Sequence, residues 1–178
     1  MIILPTHLGA GGSRRRSGQP RQVAADAATS PSGSRRSSAR SQHPLIVDAG
    51  PLYAYVDADA ACLDLLETHP GPLVVPVLVV TEVVCLLRTR LGWEAEARFL
   101  GDLANGTFVL EPVHPADPLR MIELVAKYHD LPRGSVDASV IAAAERLGVT
   151  EVATVDRRHF SVVHPRHAPA FDIQPAAP

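Results

Sequence analysis

Cysteine is nearly absent from this 178-residue chain: Cys62 and Cys85 stand alone, with no CxxC spacing, inside apolar helical patterns. That argues against a disulfide framework and a structural zinc centre, and it suits a reducing cytoplasm. Aromatic residues are also scarce, with one Trp, three Tyr and four Phe. So few rings do not make a base-stacking platform, and Trp93 with Phe99 reads as helix packing. No run of eighteen apolar residues occurs, so no segment is built to span a membrane. Lysine is missing except for Lys127; the other sixteen basic residues are arginine, a usage that suits a GC-rich gene.

The charge that is present is unevenly placed. Residues 1–43 hold seven arginines and one acid, Asp26, about +6, whereas the rest holds ten basic and eighteen acidic residues, about −8. The first stretch, with "GGSRRRSGQPRQ" and "SPSGSRRSSARSQ", is rich in Arg and Ser and has no periodic apolar face. It cannot offset its ordering entropy and is expected to be a disordered tail. Its composition is also that of an organellar transit peptide, and a basic tail could hold nucleic acid through phosphates. No apolar segment follows the arginine triplet, which argues against twin-arginine export. The plainest readings are an inert tail or a misassigned start codon, with the folded domain over residues 44–175.

Within that domain short apolar runs alternate with helical patterns. Strands are expected at 45–48, 72–76, 107–113 and 150–156, with a candidate fifth at 170–173. Between them, 51–69 reads as one or two helices with Asp59 a possible cap, and 77–92 and 93–105 read as two more. The segment 115–130 places Leu119, Ile122, Val125 and Ala126 on one apolar face. The last long helix, 135–148, has Ser135 as its N-cap and Gly148 as its stop. This order predicts an α/β fold with a parallel sheet covered on both faces.

Four acids sit awkwardly in this pattern. Asp48 and Asp156 close apolar strands, and in an open α/β sheet ligands bind beyond such carboxyl ends. Asp137 falls in the first turn of its helix, where the dipole favours an anion. Glu82 lies among Val79, Val80, Val83 and Val84, so a helix packed on the sheet would partly desolvate it. Singly each acid has an ordinary role as a cap, a first-turn acid or an ion-pair partner. Together they would repel and partly protonate unless a hard divalent cation compensates them. Mg²⁺ or Mn²⁺ prefers carboxylate oxygens and activates water for phosphodiester hydrolysis. Arg157, Arg158 and Arg133 are placed to touch phosphate or to be ordinary loop arginines. His159, His164 and His167 match no zinc spacing and are expected at the surface.

The segments "LIVDAGPL", "TEVV", "SVDASVIAAAERLG" and "VATVDRRHF", with Asp48, Glu82, Asp137 and Asp156 spaced by 34, 55 and 19 residues, resemble the PIN-domain ribonucleases. They are most similar to the toxin subunits of VapBC-type toxin-antitoxin pairs. The resemblance spans residues 45–173 and implies a three-layer α/β/α sandwich with a mainly parallel sheet of four to five strands. It implies that the four acids form a Mg²⁺ or Mn²⁺ site, with the Thr154 hydroxyl lining it. It further implies endonucleolytic cleavage of tRNA or ribosomal RNA, a homodimer, and a cognate antitoxin protein as partner. One departure stands out: the family often has Ser, Thr or Asn two residues after the first Asp, where this chain has Gly50. The rival readings are a structure-specific DNA nuclease of related fold and a non-catalytic RNA- or protein-binding module.

Overall fold

The computed structural model describes residues 43–130 and 134–176. The expectation for the tail falls outside them, His43 apart, and so does Arg133. The elements are β1 (Leu45–Val47), α1 (Ala49–Val56), α2 (Ala60–Thr68), β2 (Leu73–Pro76), α3 (Val77–Arg90) and α4 (Trp93–Ala104). There follow β3 (Val109–Glu111), α5 (Asp117–Lys127), α6 (Ser135–Leu147), β4 (Glu151–Ala153), α7 (Arg157–Ser161) and β5 (Asp172–Gln174).

All neighbouring strands are parallel, in the order β3-β2-β1-β4-β5. Every residue of β1 and β2 is buried, which requires cover on both faces and explains why these strands read as unbroken apolar runs. Helices supply that cover, giving the α/β/α sandwich. Leu45, Ile46, Val79, Val83, Ile141 and Phe160 anchor its core. Among the described residues no helix is long and apolar enough to cross a membrane.

Local chemistry sets most boundaries. Asp59 accepts hydrogen bonds from the amides of Ala61 and Cys62, so the expected cap divides α1 from α2. Gly148 ends α6 in the left-handed region at φ 67°, where a side chain would be strained. Ser135 is not the cap of α6: Gly134 holds that position, and Ser135 is already helical. The fifth strand exists but starts two residues later than expected. Helix α7 leaves no signal in the sequence pattern, because five residues are too few to show a period.

The largest departure concerns α5. Leu119, Ile122 and Val125 are exposed, at 70%, 65% and 41%, while Asp117 and Leu124 are buried. The inward side of α5 is mixed: Leu124, Met121 and Tyr128 pack on the core, and beside them ion pairs bind the helix to α6, Arg120 with Glu145 at 2.7 Å and Arg146 with Asp117 at 3.1 Å. Trp93 is likewise exposed rather than packed, although Phe99 is fully buried near Phe108.

Candidate active site

Strand order reverses between β1 and β4: the sheet grows from β1 through β2 to β3, and β4 then joins the other side of β1. Such a switch point opens a crevice beyond the carboxyl ends of the two strands. The Asp48 amide donates to the Ala153 carbonyl at 2.9 Å, which locks the ends of β1 and β4 together.

Asp48 is buried, and so is Thr154. The Thr154 hydroxyl donates to Asp48 Oδ2 at 2.8 Å and accepts from the Asp156 amide at 3.0 Å. One hydroxyl thereby joins the first and last acids of the motif. Burial pushes the Asp48 pKa above the ordinary carboxylate range; the Ala49 amide and Thr154 pull against it, the Asp156 charge adds to it and His159 opposes it.

Glu82, on α3, is exposed as a residue, where the sequence pattern suggested a partly desolvated one. Its pKa is nonetheless raised, by partial loss of hydration first and by the charge of Asp48 second. Beside it an apolar groove of about 450 Å³ runs between α3 and α6, lined by Leu78, Leu86 and Val136 among others.

Asp137 stands in the first turn of α6, and Asp156 caps α7, accepting from the His159 amide at 3.3 Å. His159 joins these two acids. Its Nδ1 lies 2.8 Å from Asp156 and 3.6 Å from Asp137. The expectation that His159 lies at the surface is therefore corrected: its side chain is only 16% exposed. The missed signal is the spacing of three from a capping aspartate, which brings a histidine ring back over the carboxylate once a helical turn forms. His167 is also partly buried, bonded to the Val149 carbonyl, whereas His164 is exposed.

The arginines divide. The Arg157 guanidinium donates to the carbonyls of Ile173 and Pro175 and so fastens α7 to β5, while Arg158 is exposed on α7. Gly50 also gains a reason: a Cβ there would lie 2.3 Å from Val155 Cγ2. Val155 fills the space in which the family often carries a hydroxyl or amide side chain.

The four acids are thus linked: Glu82 senses Asp48, Thr154 ties Asp48 to Asp156, and His159 ties Asp156 to Asp137. Among the described residues no three His, Cys, Asp or Glu side chains are gathered closely enough to hold an ion as they stand. The donor set itself suits a hard cation, being carboxylate oxygen at every expected position, with no arginine or lysine among the groups acting on Asp48 or Glu82.

The PIN domain family model matches residues 45–164. Ribonuclease VapC26 of Mycobacterium tuberculosis is 34% identical over 135 residues, covering 74% of this chain and all of that protein. Two solved structures share the fold. The VapC20 toxin of M. tuberculosis, described as cleaving the sarcin-ricin loop, superposes with a TM-score of 0.57 at 20% identity, over 61% of this chain and 86% of its own. The DNA-bound VapBC of Salmonella typhimurium superposes with a TM-score of 0.58 at 12% identity, over 74% of this chain and 97% of its own. With the parallel sheet and the ordered acids at its switch point, this chain belongs to the PIN-domain family, beside the VapC ribonucleases.

Proposed function

We propose that this protein is a cytoplasmic endoribonuclease that hydrolyses RNA phosphodiester bonds with Mg²⁺ or Mn²⁺, and the toxin of a type II toxin-antitoxin pair. The observation that carries the reading is Asp48: a buried carboxylate with a raised pKa, near two further acids, which the neighbouring His159 only partly offsets and no arginine or lysine does. Burial disfavours the ionised form of such a group, and a bound cation favours it. The divalent ion, when bound, supplies Lewis acidity and an activated water.

Asp48, Glu82, Asp137 and Asp156 would hold it. Thr154 keeps Asp48 aimed into the crevice, and its acceptance of the Asp156 amide fixes the turn from β4 into α7. Arg158, exposed next to the site, is available to an RNA phosphate, and Arg157 serves chiefly to hold α7 against β5. The RNA class follows the family, tRNA or ribosomal RNA, and the sarcin-ricin loop cleaved by VapC20 makes a ribosomal stem-loop the first substrate to offer. The apolar groove beside Glu82 offers a partner segment of the antitoxin a place next to the acids. VapBC complexes among the structural neighbours support such a partner.

The test is cleavage of a ribosomal stem-loop and of tRNA by the full chain with Mn²⁺, against Asp48→Asn. Asn keeps an acceptor for Thr154, so the fold is expected to stay as stable or gain slightly while cleavage falls more than about 100-fold, beyond the usual effect of losing outer support to a metal. Wild-type cleavage by the variant refutes the site.

A further inference from the structure

His159 stands inside the acidic crevice without a part in the metal chemistry proposed for the four acids. Its backbone is fixed from outside the site. Phe160, next to it, is buried against Phe171 with ring centroids 6.2 Å apart, and Arg157 is bonded to the carbonyls around β5. Helix α7 is thus a rigid shelf, and His159 projects from it between two carboxylates.

Asp156 needs such a neighbour. Unlike Asp48 it lies three residues past its strand, and its side chain is 46% exposed, so burial does not choose its rotamer. Both of its oxygens are engaged by one residue: Oδ1 by the His159 amide at 3.3 Å, Oδ2 by the ring Nδ1 at 2.8 Å. The amide bond is long, so the ring contact is the stronger restraint. The same Nδ1 lies 3.6 Å from Asp137 Oδ2 on α6, longer than a hydrogen bond but within reach of a charge contact, and one ring therefore stands between two acids from different helices.

We propose that His159 is a positioning residue, which holds the Asp156 carboxylate beside Asp137 so that the pair meets a divalent cation already oriented. The inference rests on the metal reading of the four acids. Partners of this kind, which orient ligands without touching the ion, commonly matter to affinity about 10–100-fold.

The experiment is calorimetric titration of Mn²⁺ into the full chain without RNA, comparing wild type, His159→Phe, His159→Asn and Asp48→Asn, with a metal-free melting curve for each. Phe keeps the ring and its packing but removes Nδ1; Asn restores an N–H near the same place. The expected result is a Kd about 10–100-fold weaker for His159→Phe with an unshifted melting curve, and recovery to within a few-fold of wild type for His159→Asn. Wild-type affinity in His159→Phe overturns the inference. So does tighter binding in that variant, which would make the ring a competitor for the ion. If wild type itself binds no Mn²⁺, or Asp48→Asn binds as wild type does, the metal reading falls and this inference with it. A parent whose binding is lost in Asp48→Asn but kept in His159→Phe sinks the positioning role alone.

Discussion

Gly50 and Val155 form a matched pair at the mouth of the crevice. The absent Cβ leaves room for a branched side chain that is itself 61% exposed, and Val155 has little freedom to turn aside because its β-branch restricts χ1. Gly50→Ser, which restores the family's usual side chain, is therefore expected to cost about 1–3 kcal/mol through overpacking, and adding Val155→Ala to recover most of it. Thermal unfolding of the two single variants and the double variant measures this coupling. Additive effects would show that the two positions do not share the space. Asp48, Glu82 and Asp156 stood out in the sequence because a carboxylate in or at the end of an apolar run is anomalous on chemical grounds, and Asp137 stood out only as a first-turn acid of its helix. His159 did not: within "DRRHF" it looks like one more polar residue, and its place depends on α7, which is too short to leave a periodic trace.

At the scale of elements, α5 and α6 are joined through charge. Asp117 is buried, and burial alone would raise its pKa; the Arg146 guanidinium and the His114 amide overcome that and hold it below the ordinary range. Glu145 is lowered in the same way, Arg120 and the Arg166 amide outweighing burial. In both, the unfolded chain binds protons more readily than the folded one. Their stabilisation is thus complete above the ordinary carboxylate range and is lost as pH falls through the folded values. Asp48 and Glu82, raised, act with the opposite sign, losing stability as pH rises through their folded values. Asp117→Asn isolates the first contribution: it is expected to lower stability by about 1.5–3 kcal/mol at pH 7 and to narrow its gap from wild type below about pH 4, followed by urea unfolding across pH. A gap that stays constant with pH contradicts the assignment. The apolar period of α5 correctly gave a helix but not its orientation, because periodicity does not show which side is covered. The charges that decide it sit 25 and 29 residues away on α6.

For the whole molecule, alternating strands and helices sufficed to predict a parallel sheet, and the order of acids pointed to one end of it, where Thr154 bonds both Asp48 and the Asp156 amide and His159 lies between Asp156 and Asp137. Strand order was not readable, since it depends on which side of β1 receives β4. That choice places Asp48 and Thr154 side by side and brings Asp156 after them. On α5 the stripe of Leu119, Ile122 and Val125 stays exposed, an apolar patch of the kind that marks association sites.

The proposed chemistry depends above all on Asp48 being compensated by a metal held jointly with Asp137. Calorimetric titration of Mn²⁺ into the full chain, beside Asp48→Asn and Asp137→Asn, measures this without recourse to any RNA. Binding by the parent is expected to disappear in both folded variants. A folded parent that takes up no Mn²⁺, or variants that bind as the parent does, would refute the shared site.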